Sequence, residues 1–332
     1  MNYLVTLSTL LLSQFATAQE GALAVRATPV GWRTAVFTNS TGKGSPKLEA
    51  VVHYPAKPGQ GTEQDAAIAT REGGYPVIVF LHGLGGTGPL MQPMGSRLAQ
   101  SGYIVVCTDT TRSERELQAT NARAFFQSLV DESGNEESFF AGQFDMSRSG
   151  ISGHSMGGGN SAKVLTENPG YKVGFCFAPW TTSGRESTGA DYLGEAIDKI
   201  DVPIGILHGI NDRVLPWEAN ALSLHSALAG RETDTLFWRL DEDATHINVA
   251  FPASSRTSSS DQDRKVFELC TSLAVAFFDR FLREEAEALL PYLDNEKAPA
   301  GVVEVYKNTQ EKKRFPAPQS RRAVANGQGP AR

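Results

Sequence analysis

The sequence predicts an α/β protein with a mostly parallel central sheet and helices on both faces. Three observations predict it. From about residue 46 onward, short apolar or β-branched runs alternate with longer helical patterns. Most of the runs are continuous rather than alternating, as strands covered on both faces should be. The chain has 332 residues, enough to bury a large core, and three Cys, too few for a disulfide-stapled mini-domain. Its composition, 40% hydrophobic and 20% charged, excludes collagen-like, low-complexity and wholly disordered classes. A net charge of −6 argues against a nucleic-acid partner.

Taken in order, residues 1–18 carry no charge, and Tyr3–Leu12 is an apolar run too short to cross a bilayer. Ala16-Thr17-Ala18 then supplies a small-residue cleavage pattern, so 1–18 reads as a secretory signal peptide and the chain as exported. Leu48–Tyr54 alternates like a half-buried strand. Pro76–Leu81, Tyr103–Cys107, Ser149–Ser152, Val173–Phe177 and Pro203–Leu207 are expected as buried parallel strands, with Leu236–Leu240 as the last. Helices are expected at about 88–101, 115–131, 156–167 and 217–229. A final helix, Asp261–Leu282, places Val266, Phe267, Cys270, Leu273, Ala274, Phe277, Phe278 and Phe281 on one stripe. No repeat or linker interrupts the pattern, which assigns one domain to 19–290. Residues 291–332 read as a C-terminal extension, and from about 311 it is basic, with a net charge of +5 and the composition of a disordered tail.

Two strand-end loops could carry chemistry. In His82–Gly88, Gly83, Gly85 and Gly88 fit G-x-G-x-x-G, and Asp109 ends the next strand. That is the pattern of a dinucleotide site and of a nucleotide-dependent oxidoreductase. Gly153-His154-Ser155-Met156-Gly157 fits G-x-S-x-G, in which small neighbours let a serine occupy a sharp strand-to-helix turn. An acid and then a histidine should follow it on later strand-end loops. Asp212 follows the Pro203–Leu207 strand and His246 follows Leu236–Leu240. Ser155, Asp212 and His246 are therefore the candidate nucleophile, acid and general base of an α/β-hydrolase fold. Asp243, three residues before His246, is the rival acid and reads as a solvated carboxylate. In this scheme the Leu84 and Met156 N–H groups form an oxyanion hole.

These residues resemble the dienelactone-hydrolase-like and polyesterase–lipase–cutinase group of α/β-hydrolases, which includes bacterial cutinases and polyethylene terephthalate hydrolases. The resemblance rests on Pro76–Gly83, Cys107-Thr108-Asp109-Thr110, Met146-Ser147-Arg148 leading into Gly153–Gly159, Ala178-Pro179-Trp180, Asn211-Asp212 and Leu240-Asp241 to Thr245-His246. It implies a serine ester hydrolase that forms an acyl-enzyme on Ser155, with Trp180 as an aromatic wall of the acyl site. Gly83, His154 and Ile247 are expected beside the substrate, although His154 points away from the elbow and reads as packing or pocket wall. No metal-ligand spacing, P-loop lysine or further membrane-length segment appears in the sequence, so no cofactor, no metal and no stable membrane insertion are expected, with a small-molecule or polymeric ester as partner and a monomer. An acyltransferase, lactonase or peptidase on the same three residues remains open. Leu84 stands where bacterial polyester hydrolases usually carry an aromatic residue. His82 and His208 are expected as buried hydrogen-bonding groups, His53 and His225 at the surface, and the three Cys as buried free thiols.

Overall fold

A computed structural model describes residues 28–59, 62–110, 114–184, 187, 189–252 and 260–307. The expected signal peptide and the basic tail lie outside these residues. Among the described residues ten strands form one sheet: β1 (Val30–Thr38), β2 (Lys47–Pro55), β3 (Glu63–Gln64), β4 (Tyr75–Leu81), β5 (Ile104–Thr108), β6 (Phe144–His154), β7 (Val173–Phe177), β8 (Ile204–Gly209), β9 (Thr235–Leu240) and β10 (Val302–Lys307), ordered β10-β9-β8-β7-β6-β4-β5-β2-β1-β3. The six strands from β4 to β9 are parallel, whereas β2 joins β5, β1 joins β2 and β10 joins β9 antiparallel.

The apolar runs expected as buried strands all fall in this sheet. Within β4, Val77, Val79 and Leu81 face one core while Ile78 and Phe80 face the other, so every position in the run is apolar. Pro76 lacks a ladder donor, and the β4–β6 register shifts between Pro76 and Val77. Helices α2 (Arg115–Ser133), α3 (Met156–Leu165) and α4 (Ser223–Leu228) cover the first face; α1 (Gln92–Gln100) and α5 (Asp261–Leu282) cover the second. The segment expected as a helix at 217–229 opens with a wide turn, Glu218–Leu222, before α4. Helix α5 has the expected bounds, with Ser260 as its cap. Ser260 Oγ accepts from the Asp263 N–H at 3.0 Å and the Asp263 carboxylate accepts from the Ser260 N–H at 3.2 Å. The residues of its stripe from Val266 to Phe278 are buried, and Phe281 partly so.

Several expectations need correction. Strand β1 precedes residue 46, and β10 lies past residue 290, inside the segment read as an extension. Its Tyr306 is fully buried and stacks on Phe237 with ring centroids 5.1 Å apart. His53 and His225 are buried rather than superficial. His53 lies on β2 under Gly95 of α1, where an added Cβ would strike the imidazole. Both are held neutral by burial, their pKa lowered from 6.5 to about 4. Cys107, Cys176 and Cys270 are buried free thiols. No described helix is long and apolar enough to cross a membrane.

After β4 the chain adds β5 on one side, then crosses to add β6 on the other. The loops leaving β4 and β6 therefore diverge at a topological switch point, the place where open α/β sheets carry their sites.

Candidate active site

At that point Ser155 sits between β6 and α3 with φ 57° and ψ −117°, a backbone conformation rare for any residue with a side chain. The surroundings over-determine it. Its N–H donates to Phe177 O at 2.9 Å, and its carbonyl accepts from Trp180 N at 2.8 Å and Gly159 N at 3.0 Å. Gly153 is required beside it, since a Cβ there would lie 2.5 Å from the Gly157 carbonyl and 2.8 Å from Leu81 O. The turn holds the Ser155 hydroxyl up toward the loops that follow β8 and β9.

His246 Nε2 lies 3.0 Å from Ser155 Oγ, and its Nδ1 lies 2.6 Å from Asp212 Oδ2. A carboxylate only accepts, so Nδ1 carries the proton and the Nε2 lone pair faces the hydroxyl. The Asp212 side chain is fully buried and has four donors. Oδ1 accepts from the Val214 and Leu215 N–H groups at 2.8 and 2.9 Å; Oδ2 accepts from His246 and, at 2.8 Å, from His208 Nε2. Burial works against the Asp212 charge. The hydrogen bonds from His208 and His246 outweigh it and hold the carboxyl well below the ordinary carboxylate range. A permanent carboxylate, an oriented imidazole and a hydroxyl within proton-transfer reach can together generate an alkoxide-like nucleophile.

The rival acid is elsewhere. Asp243 is exposed and its Oδ2 accepts from Gln262 at 2.9 Å. The His246 loop is fastened instead by Asn248. Its Oδ1 accepts from Thr245 N at 2.7 Å, and its amide donates to Asp243 O at 2.9 Å and Asp263 Oδ1 at 3.1 Å.

The glycine loop packs against the elbow. A Cβ on Gly83 would come within 3.2 Å of Ser155 Cβ and 3.3 Å of His154 Nδ1. Leu84, next in sequence, is 57% exposed at the site rim. Met156 opens α3, so its N–H belongs to the first turn, whose donors have no intrahelical acceptor. Gly88 lies against the end of β5, where a Cβ would come within 3.2 Å of Asp109 Cβ. Gly83 and Gly88 thus tuck this loop onto the elbow and β5, while Gly85 faces open space and supplies the turn's positive φ of 73°.

Of the residues assigned to substrate, Trp180 is half-buried with its N–H on the Ser155 carbonyl, and Ile247 is half-buried next to His246 in the chain. Trp180 is fixed at both ends: its Nε1 donates to Thr182 Oγ1 at 3.0 Å, and the Arg115 guanidinium sits 4.4 Å from its ring centroid. Arg115 also donates to the carbonyls of Trp180 and Thr182. Of the two roles expected for His154, packing or pocket wall, it takes the first and does not line the substrate site. It is buried behind His246, ring centroids 4.8 Å apart, and its Nε2–H donates to His246 O at 2.6 Å. Burial first, and then the neighbouring His246, lowers its pKa to about 3, so it is a neutral prop for the histidine loop rather than a pocket wall. Sequence reasoning missed the roles of Arg115 and Asn248 in this frame. It also missed the partner of His208, although the spacing of four between His208 and Asp212 carries a hint.

Similarity to known proteins agrees with this geometry. The family model described as PETase, PET hydrolase-like, matches residues 33–286. Over 175 residues the chain is 25% identical to the protein named cutinase est1 of Thermobifida alba, covering 52% of this chain and 54% of that protein. It is 24% identical over 180 residues to cutinase 1 of Thermobifida cellulosilytica, with 54% and 63% covered. It is 24% identical over 192 residues to the bis(hydroxyethyl) terephthalate hydrolase of Streptomyces coelicolor, with 57% and 55% covered. The chain thus spans about half to two-thirds of the length of these curated relatives. The mostly parallel sheet, the serine elbow at its switch point and the match across most of the described residues lead to one conclusion: the chain belongs to the PET hydrolase-like family of α/β-hydrolases.

Proposed function

We propose that the protein is a carboxylic-ester hydrolase that works through an acyl-enzyme on Ser155. The observation that carries the proposal is the continuous chain from Ser155 Oγ to His246 Nε2 and from His246 Nδ1 to Asp212 Oδ2. Ser155 Oγ attacks the ester carbonyl carbon while His246 Nε2 takes its proton. The oxyanion is held by the N–H groups of Leu84 and Met156. Collapse of the tetrahedral intermediate breaks the carbon–oxygen bond to the alcohol, which leaves with the proton from His246. Water then attacks the acyl-enzyme by the same path in reverse roles, releasing the acid and the free hydroxyl.

Relatives named as cutinases and as a bis(hydroxyethyl) terephthalate hydrolase favour polyesters and their small diol esters as substrates. Trp180 and Ile247 would flank the acyl group, and Leu84 would present an aliphatic rim. Export is favoured by the uncharged N-terminal run and by Ala16-Thr17-Ala18. The test is labelling by a fluorophosphonate probe together with turnover of a p-nitrophenyl ester series and bis(hydroxyethyl) terephthalate. Wild type should label and turn over; Ser155→Ala should do neither. Labelling that persists in Ser155→Ala would overturn the nucleophile.

A further inference from the structure

We propose that His208 is a positioning residue of the reaction centre, acting through Asp212 by sharing one carboxylate oxygen with His246. The inference rests on the ester-hydrolase reading and deepens it. His208 stands at the end of β8 and is fully buried. Its Nε2 faces two acceptors, Asp212 Oδ2 at 2.8 Å and Leu215 O at 3.1 Å. Neither can donate, so Nε2 carries the proton. Nδ1 is buried with no hydrogen-bond partner among the described residues. A second proton there would be an orphaned buried donor, so the ring is the neutral Nε2–H tautomer.

Two consequences follow from this sharing. The N–H donor fixes Oδ2 in the plane that His246 Nδ1 must reach, and its tie to Leu215 O closes the Asp212 turn on itself. It also draws off part of the carboxylate charge that His246 would otherwise receive alone. The titratable groups facing this pair are His208 from β8, His154 from the end of β6 and Ser155 at the elbow. His154 is neutral and bonded to a carbonyl, so His208 is the group through which the charge on Asp212 is tempered. Loss of its donor raises the Asp212 carboxyl and leaves more negative charge on His246. Asp212 stays ionised throughout, and the stronger carboxylate field at His246 moves the acid limb of the pH–rate profile upward. A full opposite charge at this range moves a neighbour by about 1–3 units, and an N–H dipole carries a fraction of that charge, so the expected movement is about half a unit.

The test compares wild type, His208→Phe and His208→Gln. Gln can return an N–H near the position of Nε2; Phe keeps the volume without the donor. For His208→Phe, the pH profile of kcat/KM on a short-chain p-nitrophenyl ester should shift upward by about half a unit, with kcat down roughly tenfold and KM little changed. His208→Gln should return both toward wild type. Equal profiles in all three proteins, or Phe and Gln variants that lose activity alike through KM, would overturn the proposal. Nitrogen-15 NMR of the histidines in wild type reads the tautomer whether or not the Phe variant folds. A protonated Nδ1 on His208 would also overturn it. A wild type that fails to label at Ser155 would instead refute the ester-hydrolase reading and leave the NMR result to judge His208 by itself.

Discussion

Replacing Asp212 by Asn should abolish turnover through proton placement rather than through shape. The carboxylate accepts four hydrogen bonds, two at each oxygen. Asn has the same outline and one oxygen. If its amide faces Val214 and Leu215, two backbone N–H groups that cannot change their chemistry lose their acceptor, at about 1–3 kcal/mol each. If its amide faces the histidines, His246 can respond by moving its proton from Nδ1 to Nε2, and only the His208 donor is left opposed. The second arrangement is the less costly. In it the Nε2–H of His246 points at Ser155 Oγ, 3.0 Å away, and cannot take a proton from it. For an enzyme that needs this base, the same replacement in a serine–histidine–aspartate triad costs about 10⁴ in kcat, or roughly 5.5 kcal/mol of transition-state stabilisation. Stability should fall by only about 1–3 kcal/mol, for the opposed His208 donor. The assay is kcat/KM on a p-nitrophenyl ester beside a thermal melt. Asp243→Asn, an exposed carboxylate on the same loop as His246, serves as the control and should stay near wild type. A folded Asp212→Asn protein within tenfold of wild-type activity would refute the reasoning.

The pH dependence of stability has a definite sign. His53 and His225, lowered from 6.5 to about 4, and His154, lowered to about 3, bind protons more readily when unfolded. Stability should therefore fall as the pH drops below 6.5 and continue falling to about 4 and 3 respectively. Near pH 5 these three groups alone release a dependence of about 3 protons, which denaturant midpoints measured at pH 7 and pH 5 would register. An unchanged midpoint would contradict their burial as neutral rings. Gly153→Ala should reduce esterase activity more than a hundredfold and cost about 1–3 kcal/mol, because the new methyl meets backbone atoms that cannot rotate away. Its melting temperature and fluorophosphonate labelling rate report the two effects separately. Tyr306→Ala should cost about 3–5 kcal/mol in a urea titration, through a fully buried ring stacked on Phe237, even though Tyr306 is far along the chain from the site.

The parallel heart of the fold was legible because its strands are buried on both faces. Pro76–Leu81 has no polar position to disguise it, and the same holds for Val173–Phe177. Strands β1 and β10 were illegible for the opposite reason. Each is an antiparallel strand near a sheet margin, wet on part of its surface, with Val36 55% and Val303 45% exposed among Thr, Arg, Glu and Lys. The site was legible as far as strand order places it: Ser155, Asp212 and His246 each follow a strand recognisable by its apolar run. What the sequence leaves open is the direction of a side chain. His154 turns behind His246, and His208 is reached by Asp212 only because the loop after β8 folds back on itself, held by the Val214 and Leu215 N–H groups. His53 shows the limit of polarity as a guide, since a neutral imidazole under a glycine packs as a core group.

Cys107, Cys176 and Cys270 are the chain's three cysteines, and all are free. Burial raises each thiol, Cys176 to about 12, so none supplies a thiolate at neutral pH. Maturation of this fold therefore contains no oxidation step. The same native state is accessible in a reducing cytosol and in an oxidising medium, and an added reductant leaves the melting temperature where it was. Thermal robustness has to be built from packing, hydrogen bonding and ion pairs such as Arg97–Glu268 and Arg283–Asp279. That also leaves surface loops free for engineered cross-links, with no native disulfide to mispair with them.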